Sequence, residues 1–131
     1  MEKKLIQEML LGQYIVCETW EYDDKTSVAF VILEVKCENR YVELYGYREE
    51  DRLLLDYDST VALLLNGEME EGFTSYSLSE NPEIFLDSER NAISEQIDRL
   101  SGYLTTLNSI NAHLPDANRK IAEYRNSHNE D

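Results

Sequence analysis

Leu53-Leu54-Leu55-Asp56-Tyr57-Asp58-Ser59-Thr60-Val61-Ala62-Leu63-Leu64-Leu65-Asn66-Gly67 is the stretch whose conformation sets the fold. Two apolar runs, 53–57 and 60–65, flank Asp58-Ser59. Asn66-Gly67 follows, a strong hairpin dipeptide because both residues tolerate positive φ. The spacing predicts two short strands, a turn at Asn66-Gly67 and a return strand over 72–78. Connections this short leave no room for crossover helices, so the strands belong to an antiparallel meander. An amphipathic helix over 50–65 is the alternative reading of the same residues.

Working upstream, residues 2–11 place Leu5, Ile6, Met9 and Leu10 at helical spacing, and Gly12 marks a stop. Residues 14–22 are aromatic and β-branched, with Tyr14, Val16, Trp20 and Tyr22 on one face; Asp23-Asp24-Lys25 is a tight turn. Residues 28–35 are almost wholly apolar and predict a central strand covered on both faces. After a turn at Glu38-Asn39, residues 41–47 alternate, Val42 and Leu44 opposing Tyr41, Glu43, Tyr45 and Tyr47. Residues 48–51 form a charged loop.

Downstream the period changes. Asn81-Pro82-Glu83 is a helix start with Pro at the first helical position, and Asp87-Ser88 is a second candidate cap. Ile93, Ile97, Leu100, Leu104, Leu107 and Leu114 recur as a heptad seam, flanked by Tyr103 and Ile110, with Asn111 in the vacant place. A lone Asn on such a seam fixes register and partner number in coiled coils, so the seam predicts either a helix laid on its own sheet or a homodimer. Pro115-Asp116 interrupts the pattern before a more polar helix over 117–125. The expectation is a single α+β domain: a short helix (1–12), an antiparallel sheet of five to six strands (13–79), a helical C-terminal part (81–127) with a long helix, and a frayed tail (128–131).

Composition narrows the function. The chain carries 27 acidic and 12 basic residues, a net charge of −15. Its nine Tyr, three Phe and one Trp are those of a folded body, not of an acidic disordered tail. Such acidity repels nucleic acid and anionic membrane, leaving a basic protein as the expected partner. The longest apolar run, 28–33, is far short of the roughly 20 residues that span a bilayer. The first residues lack an apolar leader, and the chain reads as cytoplasmic. Cys17 and Cys37 lack CxxC spacing and read as reduced thiols. His113 and His128 lie far from them, so neither a zinc site nor a cofactor is expected. His113, near an expected helix end, reads as solvated or capping.

The string from Leu53 to Val61 resembles the first motif of haloacid-dehalogenase-like phosphatases, an apolar strand ending in two aspartates one residue apart. The resemblance implies Asp56 as nucleophile, Asp58 as acid/base and a magnesium ion between them. That family also needs a parallel sheet, a downstream lysine and a later acidic pair; here the Asn66-Gly67 hairpin signal follows almost at once, and the bases beyond Asp58 (Arg90, Arg99, Arg119, Lys120 and Arg125) have no strand-end setting.

Acidity concentrates in the middle third: residues 41–80 hold ten acids and two bases. The acids fall into three clusters, Glu49-Glu50-Asp51, Asp56 with Asp58, and Glu68 with Glu70-Glu71. If the loop at 49–51 and the turn at 66–71 share an end of the sheet, they form an anionic rim. Beside it, Tyr41, Glu43, Tyr45 and Tyr47 give a tyrosine-rich face, the kind that anchors interfaces. The alternative is that this face is a second buried one under the C-terminal helix.

These features predict a non-catalytic acidic inhibitor that occupies a basic, nucleic-acid-binding groove. By analogy of class it is similar to DNA-mimicking anti-defence proteins, which include anti-CRISPR and antirestriction proteins, or to toxin-neutralising immunity proteins. The chain is also similar in outline to type III secretion chaperones, which are small, acidic, α+β and dimeric. It departs from them in having only a short first helix and no predicted helix between the third and fourth strands, the element that builds their dimer. The Asp56/Asp58 phosphohydrolase is the third alternative.

Overall fold

The apolar run 28–35 is not one strand but the place where the chain passes from one sheet to another. In the computed structural model, which describes residues 2–128, β2 (Asp24–Val31) ends at Val31 and β3 (Glu34–Glu38) starts at Glu34. Between them the Ile32 N–H donates to the Gln13 carbonyl at 2.9 Å, and the Leu33 N–H donates to the Tyr45 carbonyl at 2.8 Å. Adjacent amides thus bond into different sheets, and the Ile32 and Leu33 side chains enter different cores. Strands that switch sheets at a bend make such corners in packed β structures. The expected central strand is therefore parts of two edge strands, and its apolar residues divide between two cores: Val28, Phe30, Ile32 and Val35 pack into one, Val31 and Leu33 into the other.

The remaining elements are α1 (Lys3–Leu10), β1 (Tyr14–Glu21), β4 (Tyr41–Tyr45), β5 (Arg52–Asp56), α2 (Tyr57–Asn66), β6 (Glu68–Glu71), β7 (Thr74–Leu78), α3 (Glu83–Ser94) and α4 (Ile97–His128). The fold is α+β, with a four-stranded sheet ordered β2-β1-β7-β6 and a three-stranded sheet ordered β3-β4-β5, both antiparallel. Among the described residues seven strands replace the expected five or six. The β1–β7 ladder, Ile15 opposite Leu78 through Thr19 opposite Thr74, joins distant parts of the chain, so the strands are not a simple meander.

The decisive stretch divides into strand and helix. Residues 52–56 form β5, and from Tyr57 the chain is helical. Asp56 caps the helix: its Oδ1 accepts the Ser59 N–H at 2.7 Å, and the Thr60 hydroxyl donates to the Asp56 carbonyl at 2.8 Å. Asp58 sits in the first turn, where the helix dipole favours negative charge. Asn66-Gly67 is not a hairpin turn. Gly67 adopts φ 77° and its N–H returns to the Leu63 carbonyl at 2.8 Å, closing α2. Positive φ serves a helix C-terminus as well as a hairpin. The hairpin that follows turns at Gly72-Phe73 instead.

The helical part is folded back on itself. α3 ends at Ser94, and Leu100, with φ −112° and ψ 18°, marks a break inside α4. Arg90 on α3 donates to the Leu107 carbonyl and to Asn108 Oδ1, both at 3.2 Å, so the two helices run side by side. Pro115 does not end α4, which continues to His128. Pro115 and Asn111, whose carbonyl it leaves unpaired, are both exposed, so solvent meets the freed group. His113 lies mid-helix, and its Nε2 is 2.9 Å from the Glu8 carbonyl at the end of α1. Of the expected tail, His128 belongs to α4 and 129–131 lie outside the described residues.

Two apolar clusters hold these layers. One joins Ile6, Met9 and Leu10 of α1, Ile15, Phe30, Ile32, Val42, Leu44 and Leu55 of the sheets, and Leu63 and Leu64 of α2. The other joins Val31 and Leu33 to Leu86, Ile93, Leu100, Leu107, Ile110 and Leu114 of the helical hairpin. Tyr14 and Phe85 stack between sheet and α3, with ring centroids 3.7 Å apart. Among the described residues no helix is long and apolar enough to cross a membrane.

Candidate interaction surface

Period-two alternation splits the three-stranded sheet cleanly. Val35, Cys37, Val42, Leu44, Leu53 and Leu55 point to the core beneath α1 and α2. The other face carries Tyr41 between Glu38 and Asp56, Glu43 between Lys36 and Leu54, and Tyr45 between Glu34 and Arg52. Tyr41 is 52% exposed and Leu54 55% exposed, so no helix covers the middle of this face. The expected alternative, a second buried face under the C-terminal helix, does not hold. α4 touches only its border, where the Tyr103 hydroxyl donates to Glu34 Oε2 at 3.4 Å.

The polar groups on this face are held in place. Glu43 accepts from the Tyr45 hydroxyl and from Arg52 Nη2, the latter at 2.8 Å. Those bonds, the Tyr45 hydroxyl first, hold its carboxyl below the usual range, and the same bond raises Tyr45. Lys36 Nζ lies 5.2 Å and Arg52 Cζ 5.7 Å from the Tyr45 ring centroid. A carboxylate ion-paired with Arg52 thus sits between the exposed Tyr41 and Leu54, the two large side chains this face offers to a partner.

The other predicted residues are not gathered there. Tyr47 packs into the second core, with Arg48 over its ring. Glu49 and Glu50 are exposed in the β4–β5 turn, but Asp51 is buried. It accepts from the Arg48 backbone N–H at 3.2 Å and from Arg48 Nη2 at 2.9 Å, holding the turn rather than facing a partner. Asp56 and Asp58 lie at the opposite end of β5, about 13 Å away at strand rise. Glu68, Glu70 and Glu71 belong to the four-stranded sheet, on its edge strand β6. The expected common rim does not form, because Asn66-Gly67 closes a helix and the 66–71 segment then enters a different sheet from the 49–51 loop.

The Asp56-Tyr57-Asp58 string starts a helix from an antiparallel strand, whereas the phosphatase motif it resembles needs a parallel sheet. Among the described residues no group of three or more His, Cys, Asp or Glu is placed to hold a metal ion. Both cysteines are free, and burial pushes both thiols up. The seam residues separate: Ile93, Leu100, Leu107 and Leu114 are buried within the chain, Leu104 packs beside them, and Ile97 and Asn111 are exposed. Ile110, three residues from Leu107 and four from Leu114, fills the inward place, and Asn111 beside it faces outward.

Sequence reasoning named Tyr41, Glu43 and Tyr45 but missed Leu54, Lys36 and Arg52, which complete the face. Lys36 was signalled by the alternation of 34–38, whereas Leu54 had no such signal, since Leu53, Leu54 and Leu55 are all apolar and only the β4–β5 register turns Leu54 outward. The chain matches no protein-family model, no curated protein and no solved structure.

Proposed function

We propose that this chain is an acidic binding protein that acts by occupancy, docking a basic protein on the uncovered face of its three-stranded sheet. The target is a nucleic-acid-binding enzyme whose basic groove it fills. The observation that carries this reading is the pairing of exposed Tyr41 and Leu54 around a pinned Glu43, on a chain of net charge −15. Aromatic anchors supply affinity, while long-range charge speeds encounter and selects a cationic partner.

The test is displacement of labelled duplex DNA from a basic nuclease. The protein should displace DNA, the effect should fall steeply with added salt, and Tyr41→Ala with Leu54→Ala should abolish it. Absence of displacement, or displacement indifferent to salt, rejects the reading.

A further inference from the structure

The largest exposed aromatics of the four-stranded sheet lie at one end of it. Trp20 is 48% exposed, Tyr22 103% and Phe73 81%. They come from two hairpin ends distant in sequence: Trp20 and Tyr22 from the β1–β2 turn, Phe73 from the β6–β7 turn. The ends are tied together, since the Trp20 N–H donates to the Phe73 carbonyl at 3.0 Å and the Thr19 and Thr74 hydroxyls pair at 3.1 Å. Trp20 is half exposed and Tyr22 and Phe73 almost wholly so, and clustered exposure of this kind marks an interaction site.

Two further observations say what the site takes. Glu21, Asp23, Asp24, Glu70 and Glu71 lie in the same two hairpin ends (18–25 and 68–74), and Lys25 is the one cation there. That cation already sits over the indole: Lys25 Nζ is 5.7 Å from the Trp20 ring centroid and 3.3 Å from Glu18 Oε2. The site thus pairs aromatic faces with carboxylates, which matches a guanidinium, able to stack on a ring and bond a carboxylate through two N–H groups at once. The carboxylates would repel a phosphate backbone.

The backbone adds a third sign. Tyr22 has φ 57°, the only positive φ outside glycine among the described residues. A large side chain in that region is strained, by roughly 1 kcal/mol or more, and glycine would relieve it. The turn keeps tyrosine and thereby keeps a fully exposed ring.

We infer that the joined hairpin ends bearing Trp20, Tyr22 and Phe73 form a docking site for an arginine-bearing polypeptide segment. The inference rests on the reading that the partner is a basic protein, and it names a second contact on that partner, away from the Tyr41–Leu54 face.

Trp20 is the only tryptophan in the chain, so its fluorescence reports on this site alone. The intact protein is titrated with an oligoarginine peptide and, separately, with oligolysine. Oligoarginine should change Trp20 emission saturably and bind more tightly than oligolysine. Phe73→Ala and Tyr22→Gly should each weaken it about three- to tenfold, and Tyr41→Ala should leave it unchanged. Tyr22→Gly also relieves the strained turn, so weaker binding by that variant is not a folding defect. Unchanged emission overturns the inference, as does equal affinity for the two peptides with no loss in the aromatic variants. If DNA displacement survives while peptide binding at Trp20 fails, this site alone is rejected. If displacement fails while peptide binding holds, the sheet-face reading is rejected instead.

Discussion

Arg48 Nη2 lies 2.9 Å from Asp51 Oδ1, an open cation closing over an acid that is 1% exposed. The pair shapes the β4–β5 turn, and α3 brings a second acid to it. Glu89 lies within electrostatic range of Asp51, Arg48, Tyr14 and Tyr47, and its Oε2 is buried without a hydrogen-bond partner. Burial first, then the Asp51 charge, pushes Glu89 from 4.5 up to about 7, with Arg48 offsetting part of it.

A raised acid pKa opposes the folded state where the group is ionised. The folded protein therefore keeps its full stability with respect to Glu89 below pH 4.5 and loses it as pH rises to about 7. Allowing for solvent screening, the loss is on the order of 1 to 2 kcal/mol. Glu89→Gln should match the parent near pH 4.5 and melt several degrees higher at pH 8. The difference in Tm between the two proteins, followed from pH 4.5 to 8, is the measurement, and a flat difference contradicts the assignment.

Removing the other acid should act in the opposite direction. Asp51→Ala leaves the Arg48 guanidinium and the turn's backbone N–H without their acceptor. Because Arg48 reaches solvent, the expected loss is about 1 to 3 kcal/mol in urea unfolding, short of a fully buried broken pair. Asp51→Asn keeps an acceptor oxygen in place and should lose less.

What was legible in the sequence is what a single period reports. Leu5, Ile6, Met9 and Leu10 gave α1, and the strict alternation of 41–45 gave both the strand and its outward Tyr41, Glu43 and Tyr45. Features that depend on two elements meeting were not legible. Ile32 and Leu33 look like the middle of one strand because apolarity does not say which core each enters. Residues 60–65 read as a strand because a leucine run has no period, and the cap that settles it is the Asp56 side chain on Ser59. The exposure of Trp20 and Phe73 follows from a β1–β7 pairing that spans more than fifty residues of chain, for which the sequence carries no local signal.

Two glycines separate these effects by sign. Gly67→Ala places a Cβ on a residue with φ 77° and within 3.4 Å of Arg125 Nη2, and should cost about 1 kcal/mol. Gly102 stands in α4 beyond the Leu100 break, with open space where an alanine methyl would point and no positive φ. Gly102→Ala should stabilise by about 0.5 to 1 kcal/mol through helix propensity. Thermal unfolding of the two variants decides it: if both shift Tm in the same direction, the roles given to the two glycines are wrong.

The seam supplies the last prediction, because its members now differ in what they touch. Leu107 is buried between α3 and the sheet, and Leu107→Ala should cost about 2 to 5 kcal/mol. Asn111 is exposed on the far side of α4. On a dimer built along the heptad seam, Asn111→Lys would set like charges against each other and lower the molar mass in light scattering. With the seam consumed inside the chain, that variant should keep both the parent's molar mass and its Tm, within about 0.5 kcal/mol of stability. A fall in molar mass caused by Asn111→Lys would restore α4 as an interface between copies and require the exposed Ile97 to be read as part of it.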